Sequence, residues 1–150
     1  MASDNHVSSR TPRAFGSYRL GSGTANLAAV ANAVVVIPIL EGGLTNSGNA
    51  ATSGSFIPRR ITVVNPSGSL VTTSISVGKT NDGANLVCNA QALSNIGGTN
   101  NWQDLLLNGT GVGNVAIDGT VCQALFVNVT ANAVTNGVCQ VVAYGDVINS

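Results

Sequence analysis

The chain is short of charge. Only 8% of its 150 residues are Asp, Glu, Lys or Arg, six of each sign, and the formal net charge is zero. An average soluble domain carries about 25%. Proteins that hold nucleic acid through its phosphates need an excess of Lys and Arg, so this balance excludes a general nucleic-acid binder. Disorder is excluded as well, because unfolded chains combine high charge with low hydrophobicity, whereas 44% of these residues are hydrophobic. Helix formers are scarce: there is one Glu (Glu41), one Lys (Lys79) and one Met (Met1). Surface helices are normally filled with Glu, Lys, Gln and Arg. The aromatics are Phe15, Tyr18, Phe56, Trp102, Phe126 and Tyr144, too few and scattered to line a groove for single-stranded nucleic acid.

Groups that do chemistry are equally sparse. The only histidine, His6, lies near a terminus, where nothing holds an imidazole within reach of a nucleophile. The cysteines, Cys88, Cys122 and Cys139, are spaced by 34 and 17 residues. That is neither a disulfide framework nor a zinc ribbon; reduced thiols buried on strands are expected. Asp82 and Asp118 each precede a glycine and read as turn formers rather than calcium ligands. Every carboxylate falls in or beside a predicted turn, which gives no facing pair for glycoside hydrolysis. Gly109 to Gly113 alternates Gly-x-Gly-x-Gly with no Lys after it, so it is not a phosphate loop. The expectation is a protein that is not an enzyme and uses no metal or cofactor. The first residues lack the apolar core of a secretory signal. The strongest apolar run, Leu27 to Leu40, is 14 residues interrupted by Asn32 and Pro38, too short for a membrane span. Synthesis in a cytoplasm without membrane insertion is expected, which leaves the sequons at Asn108 and Asn128 without meaning.

What is abundant points to β-structure. There are 20 Val, 18 Gly, 18 Asn, 14 Ser and 13 Thr. Val and Thr suit pleated strands; Gly, Asn and Ser suit turns. Residues 1–20 read as an extended arm and 21–150 as one domain. The arm holds Arg10, Arg13 and Arg19 against Asp4, a local excess of about +2 that suits ordering on an acidic neighbouring subunit. In the body, Ala33 to Leu40 is a β-branched run whose Pro38 demands an edge or a bulge. Phe56 to Asn65 and Leu70 to Gly78 are expected to pair as a hairpin about Asn65-Pro66-Ser67-Gly68. Leu86 to Ile96 reads as a strand running into a helical turn, and Trp102 to Leu107 as a short apolar element. Val115 to Ile117 and Val121 to Thr130 are expected to flank an Asp118-Gly119 hairpin turn, and Val138 to Val147 closes the sheet. About eight strands and no helix predict an all-β fold: an antiparallel jelly-roll-like β-sandwich, with an up-and-down barrel as second choice.

Arg59 and Arg60 stand together entering a strand, where neighbouring side chains point to opposite faces. One therefore meets solvent, as an edge gatekeeper, while the other points inward or to an interface. The stretch Phe56-Ile57-Pro58-Arg59-Arg60-Ile61-Thr62-Val63-Val64-Asn65-Pro66-Ser67-Gly68, and the ending Val141-Val142-Ala143-Tyr144-Gly145-Asp146-Val147, resemble head decoration, or cement, proteins of tailed bacteriophages. The resemblance covers roughly residues 56–78 and 121–148. It implies a structural virion protein without catalytic residues, commonly a homotrimer, that binds the major capsid protein on the outer capsid surface. Arg10, Arg13, Phe15, Tyr18, Arg19, Arg59 and Arg60 are then the candidate partner-binding residues. An 8% charged surface fits association, which hides what faces water poorly. A different class stays open: a carbohydrate-binding or fibre-type β-sandwich, whose exposed aromatic would be Trp102.

Overall fold

A computed structural model describes residues 18–27, 34–38, 55–80, 84–108, 117–118, 124–131 and 137–148. Within them the chain forms β1 (Tyr18–Asn26), β2 (Val34–Pro38), β3 (Ser55–Val64), β4 (Ser74–Gly78), β5 (Leu86–Ala92), β6 (Gln103–Leu105), β7 (Ile117–Asp118), β8 (Ala124–Ala131) and β9 (Val138–Ile148). None of the described residues is helical. The fold is all-β, with two antiparallel sheets as in a β-sandwich. One sheet runs β1-β9-β3-β6, with β7 also on β3; the other runs β2-β8-β4-β5. The pairing is nested: β1 with β9, β2 with β8, β3 with β6, β4 with β5. The first half of the chain thus meets the second half in reverse order, as in a long hairpin rolled over on itself.

The core lies between the sheets. Phe56, Ile61 and Val63 of β3, Val141 and Ala143 of β9, Ile75 and Val77 of β4, and Leu125, Val127 and Val129 of β8 are all fully buried. In β8 the buried apolar residues recur every second position, the period of a pleated strand with one face inward. In β3 the period breaks: Phe56 and Ile61 share the core although their positions differ by an odd number, five. A β-bulge between Pro58 and Arg60, with Arg59 the extra residue, resolves the parity. It also accommodates Pro58, which has no N–H to give to a neighbouring strand. A second bulge, at Leu20 between Arg19 and Gly21, lies across β9 from the first. The two bulges fall on either side of Tyr144; at the neighbouring Gly145 a Cβ would stand 2.0 Å from the Ile57 carbonyl oxygen and 2.8 Å from Leu20 Cδ1.

The expected hairpin of Phe56 to Asn65 with Leu70 to Gly78 does not form. β3 and β4 belong to different sheets. After Val64 the chain turns once at Asn65, in the left-handed region at φ 51°. It turns again where Thr73 N–H donates to the Leu70 carbonyl at 2.9 Å. That second turn carries the chain across the core, so the expected strand Leu70 to Gly78 is reduced to Ser74–Gly78, with Val71 and Thr72 exposed. β7 pairs with β3, through Asp118 and Ser55; the expected hairpin about Asp118-Gly119 rests on residues 115–116 and 119–123, which lie outside the described residues. Pro38 ends β2, an edge strand. β5 runs into a turn closed by Ile96 N–H on the Leu93 carbonyl.

One side of the sandwich, where β5 and β6 are the edges, is closed by two glutamines. Gln103 is buried; its Nε2 donates to the Ala92 carbonyl at 2.8 Å and its Oε1 accepts from Asn95 N–H at 3.0 Å. Gln91 Oε1 accepts from Leu106 N–H and its Nε2 donates to the Leu106 carbonyl. Each amide side chain offers a donor and an acceptor to backbone groups that a strand edge leaves open.

Candidate functional site

The outer face of the β1-β9-β3-β6 sheet gathers the charged and aromatic residues. The bulge aims Arg59 at Asp146 of β9, Nε to Oδ2 2.9 Å, with side chains 32% and 22% exposed. Arg60, back in register opposite Tyr144, reaches the other way. Its Nε donates to Asp104 Oδ1 of β6 at 2.8 Å, with side chains 50% and 43% exposed. Thr62 Oγ1 donates to the same carboxylate oxygen at 2.5 Å. The Arg60 guanidinium also lies over two rings, 5.6 Å from the centroid of Trp102 and 5.7 Å from that of Tyr144. A planar guanidinium suits this role: it stacks on aromatics while its edge binds a carboxylate. Trp102, Arg60 and Tyr144 form a continuous strip across three strand positions.

Beyond the strip, a shallow cleft of about 320 Å³ is lined by Val64, Asn65, Thr99, Asn100, Asn101 and Trp102. Trp102 is 56% exposed. The loop that carries it is held by Asn101 N–H on the Gly98 carbonyl. On the opposite wall, Asn65 Nδ2 donates to Gln140 Oε1 at 3.2 Å.

The structure distributes the expected partner-binding residues unevenly. Arg59 and Arg60 come together on this face, each with an intramolecular carboxylate. Tyr18 and Arg19 lie in β1, which pairs along β9. Arg19 is exposed and its Nη2 donates to Ser22 Oγ at 2.6 Å. Leu20, at the end of the expected arm, is fully buried in the core, and Tyr18 to Leu20 belong to β1. Arg10, Arg13 and Phe15 lie outside the described residues. Asp104 and Asp146, read from the sequence as solvated turn residues, are strand residues that neutralise the arginine pair. Only their register across 44 and 87 residues of chain identifies them, and no local signal carries that.

Cys88 and Cys139 are free and buried, and burial pushes both thiols up to about 12. They are too weakly acidic to act as nucleophiles. Cys122 lies outside the described residues. No group of three or more His, Cys, Asp or Glu side chains among the described residues could hold a metal ion. Asn128, the first residue of a sequon, is buried. Against protein-family models, curated proteins and solved structures, the chain finds no match.

Proposed function

We propose that this protein is a structural virion protein, a decoration or cement protein that binds the major capsid protein on the outside of a phage head and holds capsomers together. The observation that carries this reading is the outer face of the β1-β9-β3-β6 sheet. Its strip of Trp102, Arg60 and Tyr144 is made of the residue types that dominate interface energetics. Arg59 and Arg60 are already matched by Asp146 and Asp104. A partner can therefore cover the face without leaving an unpaired charge, which is the costly outcome of burying ions. The nested strand pairing also supports reading the sandwich as a jelly roll, an architecture that capsid and lectin domains use.

The arm supplies a second grip. Arg10 and Arg13 can each take a capsid carboxylate bidentately, with Phe15 beside them. Ordering each arm residue costs roughly 1–2 kcal/mol of backbone entropy, more than exposed ion pairs at ~0–1 kcal/mol return. The arm must therefore also gain main-chain hydrogen bonds, for example by adding as a strand to a neighbour's sheet edge. Assembly as a homotrimer follows the family resemblance and places three such arms around one axis. The test is co-sedimentation with emptied phage heads. The chain lacking residues 2–17 keeps Leu20 and β1, so it should fold normally and lose most of its binding. Binding as tight as that of the full chain would remove the arm from the account.

A further inference from the structure

The cleft beside Trp102 has a composition that the decoration role does not need. Its lining residues Val64, Asn65, Thr99, Asn100, Asn101 and Trp102 carry no charge. Arg60, which lies over the Trp102 ring, is neutralised by Asp104. A phosphate, carboxylate or ammonium ligand would find no counter-charge there. Three amides and a hydroxyl, by contrast, both donate and accept hydrogen bonds, as the vicinal hydroxyls of a sugar do. The aromatic wall is the chain's single tryptophan, left 56% exposed. Arg60 lies over its ring, where it draws on the ring's electrons from one face and fixes the indole.

From this juxtaposition of an exposed indole with an uncharged amide wall, we infer that the cleft binds a neutral saccharide, stacked by its C–H face on Trp102 and hydrogen-bonded by Asn65, Asn100 and Asn101. The volume of about 320 Å³ is at the small end of ligand clefts, which run to ~300–1,000 Å³, and suits one or two sugar rings. The loop is held in place by Asn101 N–H, which donates to the Gly98 carbonyl at 3.1 Å. Little ordering remains to be done on binding. A protein docked on the same cleft is the competing occupant, but among the described residues the lining holds no ionic and no large aliphatic side chain beyond Val64, which favours the sugar.

Because the chain has one tryptophan, its intrinsic fluorescence reports on this cleft alone. The probes are glucose, galactose, mannose, N-acetylglucosamine, lactose, maltose and chitobiose, titrated to roughly 50 mM, a range that covers weak millimolar binding. At least one should shift the emission saturably and give saturation-transfer NMR signals on its ring protons. Trp102→Ala should abolish the NMR transfer with an unchanged circular-dichroism melt, since the side chain is largely exposed. Trp102→Phe should retain part of it, and Asn101→Ala should weaken binding roughly tenfold, the loss of about one good hydrogen bond. If none of the seven probes binds, or if transfer persists in Trp102→Ala, the inference is overturned. If Trp102→Ala instead weakens attachment to phage heads while no probe binds, the cleft is a protein contact and the inference is equally overturned. Sugar binding without head binding would support it and count against the decoration role alone.

Discussion

The two buried thiols make the stability of this fold sensitive to alkaline pH in a calculable way. Cys88 and Cys139 ordinarily ionise near 9.0 and are pushed up to about 12 by burial. Below pH 9 both are neutral, folded or unfolded, and pH has no purchase on them. Between 9 and 12 the unfolded chain gives up these protons while the folded chain keeps them. The native state then binds more protons, so stability falls as pH rises. Each thiol contributes a slope of about 1.4 kcal/mol per pH unit at its steepest. At pH 10.5 the two together should cost about 4 kcal/mol, a large fraction of the 5–15 kcal/mol that typical domains possess. Urea denaturation at pH 8.0 and 10.5, with reductant present, measures this as a drop in midpoint at constant m-value. The Cys88→Ala, Cys139→Ala double variant should start less stable, through two small cavities, yet show a much flatter pH dependence. The single Lys, the two Tyr and Cys122 are common to both proteins, so their contributions cancel in the difference. A double variant that loses stability as steeply as the parent would refute the assignment of these thiols as buried and neutral.

Two further substitutions probe the framework. Gly145→Ala would press a methyl group against the Ile57 carbonyl at 2.0 Å, a backbone atom of β3 paired along β9 next to the Arg59 bulge; a loss of about 3 kcal/mol or more is expected by urea titration. Gln103→Leu keeps the volume but strands the Ala92 carbonyl and the Asn95 N–H. A loss of about 1–3 kcal/mol is expected, because both residues are exposed enough for water to replace part of the bonding; a neutral result would show that the two sheet edges are held by packing alone.

Much of the fold can be read from local sequence. The β-branched runs at Ala33 to Leu40, Phe56 to Asn65, Val121 to Thr130 and Val138 to Val147 all contain strands, and Pro38 marks an edge because it cannot donate to a ladder. The parity change between Phe56 and Ile61 is itself a bulge signal, visible once both are assigned to the core. The separation of β3 and β4 into different sheets is not legible locally, because a turn signal at Asn65-Pro66 does not say whether the next strand returns to the same sheet. The choice was made by the second turn at Leu70–Thr73 and by burial of Leu70, whose N–H bonds to the Ile96 carbonyl. Arg59 and Arg60 are conspicuous in sequence, but their meaning depends on Asp104, Asp146 and Trp102, which only sheet register brings to them. Gln91 and Gln103 read as ordinary polar residues until they are seen to stand in for missing strand partners.

The claim at the centre of this account is that the protein attaches to a capsid lattice. Titrating fluorescently labelled full-length protein onto emptied tailed-phage heads, and counting bound copies per particle, tests it directly. The account predicts saturation at a fixed ratio to the major capsid protein, set by the lattice symmetry. No retention on the particles, or retention that rises without saturating, would contradict it.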